Sequence, residues 1–311
     1  MRITVVGAGA MGCLFGGLLK LGRSDVVLVD VWQEHVAAIN AKGLIIDKDK
    51  KRFVINVPAC LPSQLQPPID LLLLLTKSFN TEAALRDVAG CISESTHVMT
   101  LQNGVGHVET INKFVRKDKI IHGITTYPSD LIGPGQIETK GDGIVKVMSV
   151  DGSNGSTLGQ IVEALHNAGM NCEITPDVSV AIWEKLAFNC AMNGLTTVLH
   201  MNVGMLGDSP EGLHLVGQMV EEIVSVARKK NIAVDKKRIM STIAMAFMEH
   251  RQHHPSMLKD IMTKKKTEVE SIHGAAIRQG AQLGLELPVN STIYRLVKII
   301  ENETLKNEFY G

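Results

Sequence analysis

The strongest constraint on this chain lies in its first nineteen residues. A short β-branched run, Ile3-Thr4-Val5-Val6, leads into Gly7-Ala8-Gly9-Ala10-Met11-Gly12, and an apolar stretch of helical length, Cys13 to Leu19, follows at once. Strand, tight glycine turn and helix N-terminus in that order form the frame of a dinucleotide site. Gly7 permits the turn, Gly9 lets a pyrophosphate approach the backbone, and Gly12 lets the helix pack close to the strand. The exposed N–H groups and positive end of the helix then face the phosphates. The same letters also fit a glycine-rich strand-to-helix turn that holds no ligand.

The residues that follow keep the pattern of alternating strands and helices that a parallel sheet requires. Asp25 to Asp30 reads as the second strand, Trp32 to Asn40 as a helix, and Gly43 to Asp47 with Lys51 to Val57 as a polar-tipped hairpin. Asp70 to Leu75, with its unbroken leucines, has the character of a central strand buried on both faces. A helix from Phe79, a strand from His97 to Leu101, the turn Asn103-Gly104-Val105-Gly106 with another helix, and a strand from Lys119 to Thr126 come next. Gly133-Pro134-Gly135 marks a turn, and Gly143 to Val150 and Asn171 to Thr175 read as closing strands around a helix from Gly155 to Asn167.

Pro176 introduces a change of period. Helical patterns run over Val178 to Leu199, Leu213 to Lys230, Asp235 to His250, Ser256 to Gly284 and Ser291 to Lys306. The expected architecture is an α/β Rossmann-like dinucleotide-binding domain over 1-175 and an all-α substrate and catalytic domain over 176-311. Pairs of this kind commonly bind substrate in the cleft between them.

Composition narrows the partners. The 32 basic and 32 acidic side chains cancel, so neither nucleic acid nor an anionic membrane is expected as a partner. The basic runs Lys48 to Arg52 and Lys264-Lys265-Lys266 read as solvated faces. The five cysteines show no CxxC spacing, which suits reduced thiols in a cytoplasmic protein. No signal peptide is expected, because the first core strand begins at Arg2, and the longest pure apolar run, Leu71 to Leu75, is too short to cross a bilayer. His250 and His254 stand four apart, but no third ligand of suitable spacing accompanies them, so no metal is expected. The apolar, Met-rich stretch Ile239 to Met248 leaves a homodimer open, though methionines on a helix also serve as ordinary core.

Three features carry chemistry. Asp30, eighteen residues past Gly12, stands where a carboxylate can accept hydrogen bonds from the adenosine ribose, and it would repel a 2′-phosphate. It can equally cap the helix that starts near Trp32. Lys185, Asn189 and Asn193 recur every four residues along an apolar helix and form one slowly spiralling polar stripe. Such groups are costly without partners; they fit an active site, or a lysine that snorkels to solvent with two asparagines bonded to a neighbouring helix. Glu268 follows three lysines in Thr267-Glu268-Val269-Glu270-Ser271-Ile272-His273-Gly274, and on its own also reads as a surface carboxylate.

These residues carry a resemblance over essentially the whole length. The glycine turn Gly7 to Gly12, Thr76-Lys77-Ser78, Gln102-Asn103-Gly104, the block Trp183 to Cys190 with Asn193, Pro255 to Asp260, and Thr267-Glu268 with Gly274 together resemble the ketopantoate reductase family, the 2-dehydropantoate 2-reductases. The resemblance implies a C-terminal domain like that of 6-phosphogluconate dehydrogenase, and reduction of 2-dehydropantoate to (R)-pantoate with NADPH or NADH in pantothenate synthesis. It implies that Lys185 is the catalytic lysine and Glu268 the site glutamate. By the same resemblance Asn103, Asn189, Asn193 and Ser256 hold substrate, and Lys77, Asn103 and the turn residues Gly7, Ala8, Gly9, Ala10, Met11 and Gly12 hold the cofactor.

Two positions depart from the pantothenate enzymes. The second strand ends in Asp30 where an arginine suited to NADPH is common, and His253 replaces an asparagine three residues before Ser256. Both resemble a branch of NAD-dependent D-2-hydroxyacid dehydrogenases of the D-mandelate type, which act on 2-oxo acids branched at C3; His253 would then contact substrate. A non-catalytic dinucleotide sensor on the same fold is a third alternative, against which the set Lys185, Asn189, Asn193, Ser256 and Glu268 argues. Charge at Asp30 favours NADH over NADPH. Replacing Asp30→Ala should therefore weaken NADH binding much more than NADPH binding in a fluorescence titration, and equal losses would remove Asp30 from this role.

Overall fold

A computed structural model describes residues 1–306. It divides into two compact units, one formed by Met1–Gln102 with His107–Val178 and the other by Asn103–Gly106 with the chain from Ser179 onward.

The first unit is built on β1 (Arg2–Val6), β2 (Asp25–Val29), β3 (Leu44–Lys48), β4 (Lys51–Ile55), β5 (Ala59–Cys60), β6 (Leu71–Leu74), β7 (His97–Thr100), β8 (Ile120–Thr125), β9 (Asp130–Gly133), β10 (Gln136–Thr139), β11 (Ile144–Ser149) and β12 (Asn171–Ile174). Eight of these strands form one sheet in the order β12-β11-β8-β7-β6-β1-β2-β5. The centre is parallel, with Val5 opposite Leu28 on one side and Leu73 on the other. All four leucines of β6 are buried, as a strand covered on both faces demands. The covering helices are α1 (Ala10–Leu21), α2 (Gln33–Lys42), α3 (Thr81–Asp87), α4 (His107–Ile111) and α5 (Ser156–Asn167).

The sheet is not wholly parallel as the alternating pattern predicts, because β11 pairs antiparallel with β8. A second sheet, β4-β3-β10-β9, also stands where the sequence reading has only a hairpin and a turn. Its additional strands, β9 and β10, are four residues each, flanking the turn at Gly133 to Gly135, too short for a period-2 pattern to stand out.

The second unit is helical: α6 (Val178–Asn189, whose first residue falls to the first unit), α7 (Leu195–Leu199), α8 (Val203–Gly207), α9 (Pro210–Lys229), α10 (Lys236–Glu249), α11 (Ser256–Met262), α12 (Ala275–Gln282) and α13 (Pro288–Lys306). The helix α9 starts at Pro210, ahead of the expected Leu213, with the proline at the first turn and the Ser209 hydroxyl accepting from the Gly212 N–H at 3.0 Å. Asp235 caps α10 in the same way, accepting from the Lys237 N–H at 2.8 Å. One face of α9, with Val216, Met219, Val220, Ile223, Val224 and Ala227, is wholly buried and forms the centre of the unit's core.

Two helices expected as continuous are interrupted. Cys190–Gly194 and Glu270–Gly274 are π turns, and residues 263–268 leave the helix altogether, with Lys264 at a φ of 53°. Lysine is a good helix former, so the run Lys264-Lys265-Lys266 conceals the break in a propensity reading.

Leu72, fully buried in the central strand, should be costly to truncate. Leu72→Ala is expected to lose about 2–5 kcal/mol in urea unfolding of this unit, while Ile132→Ala, at an exposed position of β9, should stay within about 0.5 kcal/mol.

Candidate active site

The glycine turn adopts the geometry its spacing requires. Gly7 has a φ of 91°, and a Cβ there would lie 2.6 Å from the Thr76 backbone nitrogen; a Cβ on Gly12 would lie 1.9 Å from the Gly7 carbonyl oxygen. Strand, turn and helix are thus in contact through backbone alone, and no other residue fits at either position. Around the Cβ direction of Gly9 there is open space. No side chain caps α1 and no acidic residue stands in its first turn, so the N–H groups at Ala10, Met11 and Gly12 present a positive, uncapped helix end beside that opening. Ala8 lies beneath it, buried, and its carbonyl accepts from the Cys13 thiol at 3.0 Å. This donor set fits the pyrophosphate of a dinucleotide.

Asp30 sits one residue past β2, partly buried, and its carboxylate accepts from the Trp32 N–H at 3.0 Å. It closes a local turn before α2 and does not cap that helix, whose first turn has no side-chain cap. The Trp32 ring stacks on His35 at 5.1 Å and 13°. His35 accepts from the Gly135 N–H at 3.0 Å and has its other ring nitrogen 3.3 Å from the Cys13 sulfur. Burial pushes the His35 imidazole below its ordinary value, with the Asp30 carboxylate opposing. Lys77, partly buried, stands in the segment after β6, three residues past Leu74.

The helical unit gathers the other group of residues. Lys185, near the end of α6, is partly buried, and burial drives its ammonium down from 10.5 to about 8. The Glu268 carboxylate opposes that fall and holds the lysine up. Glu268 is itself buried, at 7% exposure, so the two charges face each other in an environment that screens them little.

Asn189 and Asn193 are buried on either side of the change from α to π winding. In an α-helix a four-residue step advances slightly more than one turn, whereas the wider π turn makes the same step fall short of one. The interruption at Cys190–Gly194 therefore winds the stripe back instead of letting it drift, and keeps Asn193 nearer the line of Lys185 and Asn189. The Asn193 side-chain oxygen accepts from the Met257 N–H at 3.4 Å, which ties the stripe to the start of α11. Ser256, the first residue of that helix, and His253, in the preceding loop, are both exposed; the His253 carbonyl accepts from the Val203 N–H at 3.0 Å.

Asn103 also belongs to this unit. The Val105 N–H donates to the Ser271 carbonyl at 3.1 Å, and Gly104, at a φ of 94°, comes so near that a Cβ would lie 2.1 Å from the same oxygen. The Asn103 loop is thus seated three residues from Glu268. All the predicted substrate and catalytic residues share one unit, and the predicted cofactor residues other than Asn103 share the other. Among the described residues, no group of three or more His, Cys, Asp or Glu is arranged as a metal site.

The sequence reading misses both π turns and the partners that fix the segment around Glu268: Asn290, Tyr294 and Glu301. The available signal was a glycine at the end of each turn, Gly194 and Gly274, inside otherwise helical patterns.

Comparison with known proteins identifies the family. Residues 3–152 match the family model Ketopantoate reductase PanE/ApbA, and residues 177–301 match Ketopantoate reductase PanE/ApbA C terminal. The chain is 33% identical over 302 residues to a 2-dehydropantoate 2-reductase of Lactococcus lactis, covering 96% of this chain and 97% of that protein. It is 31% identical over 298 residues to one of Streptococcus pyogenes, with the same coverage. Among solved structures, a D-mandelate dehydrogenase with NADH and anilino(oxo)acetate superposes with a TM-score of 0.93 at 31% identity, covering 98% of this chain and 99% of that one. With both halves matched in order and nearly end to end, the chain belongs to the ketopantoate reductase family.

Proposed function

We propose that this protein reduces the 2-oxo group of 2-dehydropantoate to (R)-pantoate, a step of pantothenate synthesis in the cytoplasm, with Lys185 as the general acid. The observation that carries this reading is the pairing of a partly buried lysine, its ammonium lowered to about 8, with the buried carboxylate of Glu268. An acid whose pKa lies near the working pH transfers its proton most effectively.

The nicotinamide, when bound, supplies a hydride to the C2 carbonyl carbon. Lys185 stabilises the negative charge that grows on the ketone oxygen and gives it a proton, leaving the 2-hydroxy acid. Glu268 keeps the lysine protonated and accepts a hydrogen bond from a substrate hydroxyl. Ser256, with Asn189 or Asn193, binds the substrate carboxylate by charge-assisted hydrogen bonds that fix the 2-oxo acid for attack. Asn103, from its loop, would contribute to holding substrate and cofactor. On the cofactor side, the backbone of Gly7 to Gly12 would hold the pyrophosphate, and Asp30, one of whose oxygens accepts from the Trp32 N–H, would accept from the adenosine ribose. Lys77 completes the cofactor contacts.

A second reading has a specific observation behind it. Asp30 and His253 depart from the NADPH-type pantothenate enzymes, and the D-mandelate dehydrogenase that superposes so closely was solved with NADH. An NAD-dependent D-2-hydroxyacid dehydrogenase acting on another C3-branched 2-oxo acid would use the same residues in the same roles. Oxidation of NADH and of NADPH with ketopantoate, benzoylformate and 2-ketoisovalerate, compared by kcat/KM, separates the two. Ketopantoate should rank first; if benzoylformate ranks first, the second reading holds, and no oxidation with any 2-oxo acid contradicts both.

Lys185→Ala should lower kcat roughly a hundredfold or more, and near-normal turnover would contradict its role as the acid. In the wild-type protein, reduction needs the protonated lysine, so kcat/KM should fall as pH rises through about 8.

The same lysine has a consequence for stability. Its folded pKa is below its unfolded value, so the folded state binds fewer protons and is destabilised below about pH 8. The penalty fades as pH rises from there toward 10.5. Relative to Lys185→Met, which removes the titrating group and keeps the bulk, the wild-type Tm should gain as pH rises from about 8 toward 10.5, while turnover of the variant is abolished; parallel Tm profiles over that range would contradict the penalty.

A further inference from the structure

The segment that carries Glu268 lies antiparallel along α13 and is attached to one face of it at three points. At the first, both the backbone N–H and the hydroxyl of Thr267 donate to a single oxygen of Glu301, each at 2.7 Å. The other oxygen of Glu301 accepts from the Lys298 ammonium at 2.7 Å. At the second, the Tyr294 hydroxyl donates to Glu270 at 2.5 Å, and Arg278 donates to the second oxygen of the same carboxylate at 2.8 Å. At the third, Nδ1 of His273 donates to the Asn290 side-chain oxygen at 3.2 Å. The direction of this last bond follows from Asn290, whose amide nitrogen donates to Glu222 at 2.7 Å and to the Met219 carbonyl at 3.2 Å.

Positions 290, 294 and 301 are spaced by four and seven residues, which puts them on one face of a helix. Their partners at 273, 270 and 267 run the opposite way in steps of three. The helix itself is anchored, because the Glu222 carboxylate accepts the N–H groups of Val289 and Asn290 at 2.8 and 2.9 Å and so caps its first turn.

Glu301 is 1% exposed, and a buried carboxylate is tolerated only with partners. Its partners are the two donors of the residue immediately before Glu268 and one lysine. Resting on the reading of Glu268 given above, we infer that Glu301 is a positioning residue for the reaction: from α13 it grips Thr267 and sets where the Glu268 carboxylate stands relative to Lys185. The His273 end performs the companion task for the opposite stripe. His273 is fully buried, and a Cβ on Gly194 would lie 2.6 Å from its Nε2, so the imidazole fills the space left by that glycine and holds the two π turns against each other. Asn193 and Glu268 are thereby referred to one rigid helix.

The test compares Glu301→Gln, Thr267→Val and Thr267→Ser with wild type and with Glu268→Gln, which calibrates the effect of losing the carboxylate itself. Glu268→Gln should move the alkaline limb of kcat/KM to lower pH, because the carboxylate raises the lysine's pKa. Glu301→Gln should move the limb in the same direction by a substantial part of that shift and lower kcat/KM by roughly tenfold to a hundredfold. Thr267→Val should follow it, and Thr267→Ser, which restores the hydroxyl, should recover the wild-type profile. A Tm measured on each variant separates instability from misplacement. An unmoved limb in Glu301→Gln and Thr267→Val, with Glu268→Gln shifted, overturns the positioning role. An unmoved limb in Glu268→Gln overturns instead the reading of Glu268 on which it rests.

Discussion

The structure depends on one electrostatic compromise, the ammonium of Lys185 held partly buried opposite the buried carboxylate of Glu268. Desolvation and the facing charge pull the lysine in opposite directions, and the balance leaves it near 8, low enough to yield a proton and high enough to hold one at neutral pH. Either change alone would defeat the proposed chemistry. A solvated lysine would be a weak acid at neutral pH, and a buried lysine without the carboxylate would lose its charge.

Such a pair cannot hold itself in place, and much of the helical unit is arranged to hold it. Glu222 fixes the start of α13, α13 fixes Thr267 and His273, and His273 fits against Gly194 in the π turn that follows Asn189. A π turn is a local deviation from the favoured winding and is frequent at functional sites. Two of them packed together at a site of buried polar groups fit a fold in which local regularity is given up for placement. The glycine turn in the other unit follows the same logic, since Gly7 packs on Thr76 and Gly12 on the Gly7 carbonyl with no room for a side chain.

The sequence revealed what depends on local pattern. The glycine turn and the leucine strand from Leu71 to Leu74 both rest on rules that operate within a few residues. The stripe of Lys185, Asn189 and Asn193 was visible for the same reason. Glu268 alone looked like any charged surface residue, and only the resemblance of the surrounding blocks singled it out. Long-range partners were not legible: nothing near Thr267 announces that Glu301, far along the chain, accepts from it. The π turns were hidden because a single glycine in each, Gly194 and Gly274, is a weak mark within an otherwise helical pattern, and strands β9 and β10 because four residues are too few to show a period. Asp30 shows the limit in another way. Its position at the end of β2 was legible, but the helix cap that the sequence also allowed is absent, and the carboxylate closes a turn onto the Trp32 N–H instead.

The account stands on the protonation of a single nitrogen. The most direct measurement is a carbon-13 NMR titration of Lys185 in the cofactor-free protein, with the resonance assigned by its loss in Lys185→Arg. A midpoint near 8 is the result the account predicts. A midpoint at the ordinary lysine value of 10.5 would contradict it, because the ammonium would then be solvated and the pairing with Glu268 would not set its acidity.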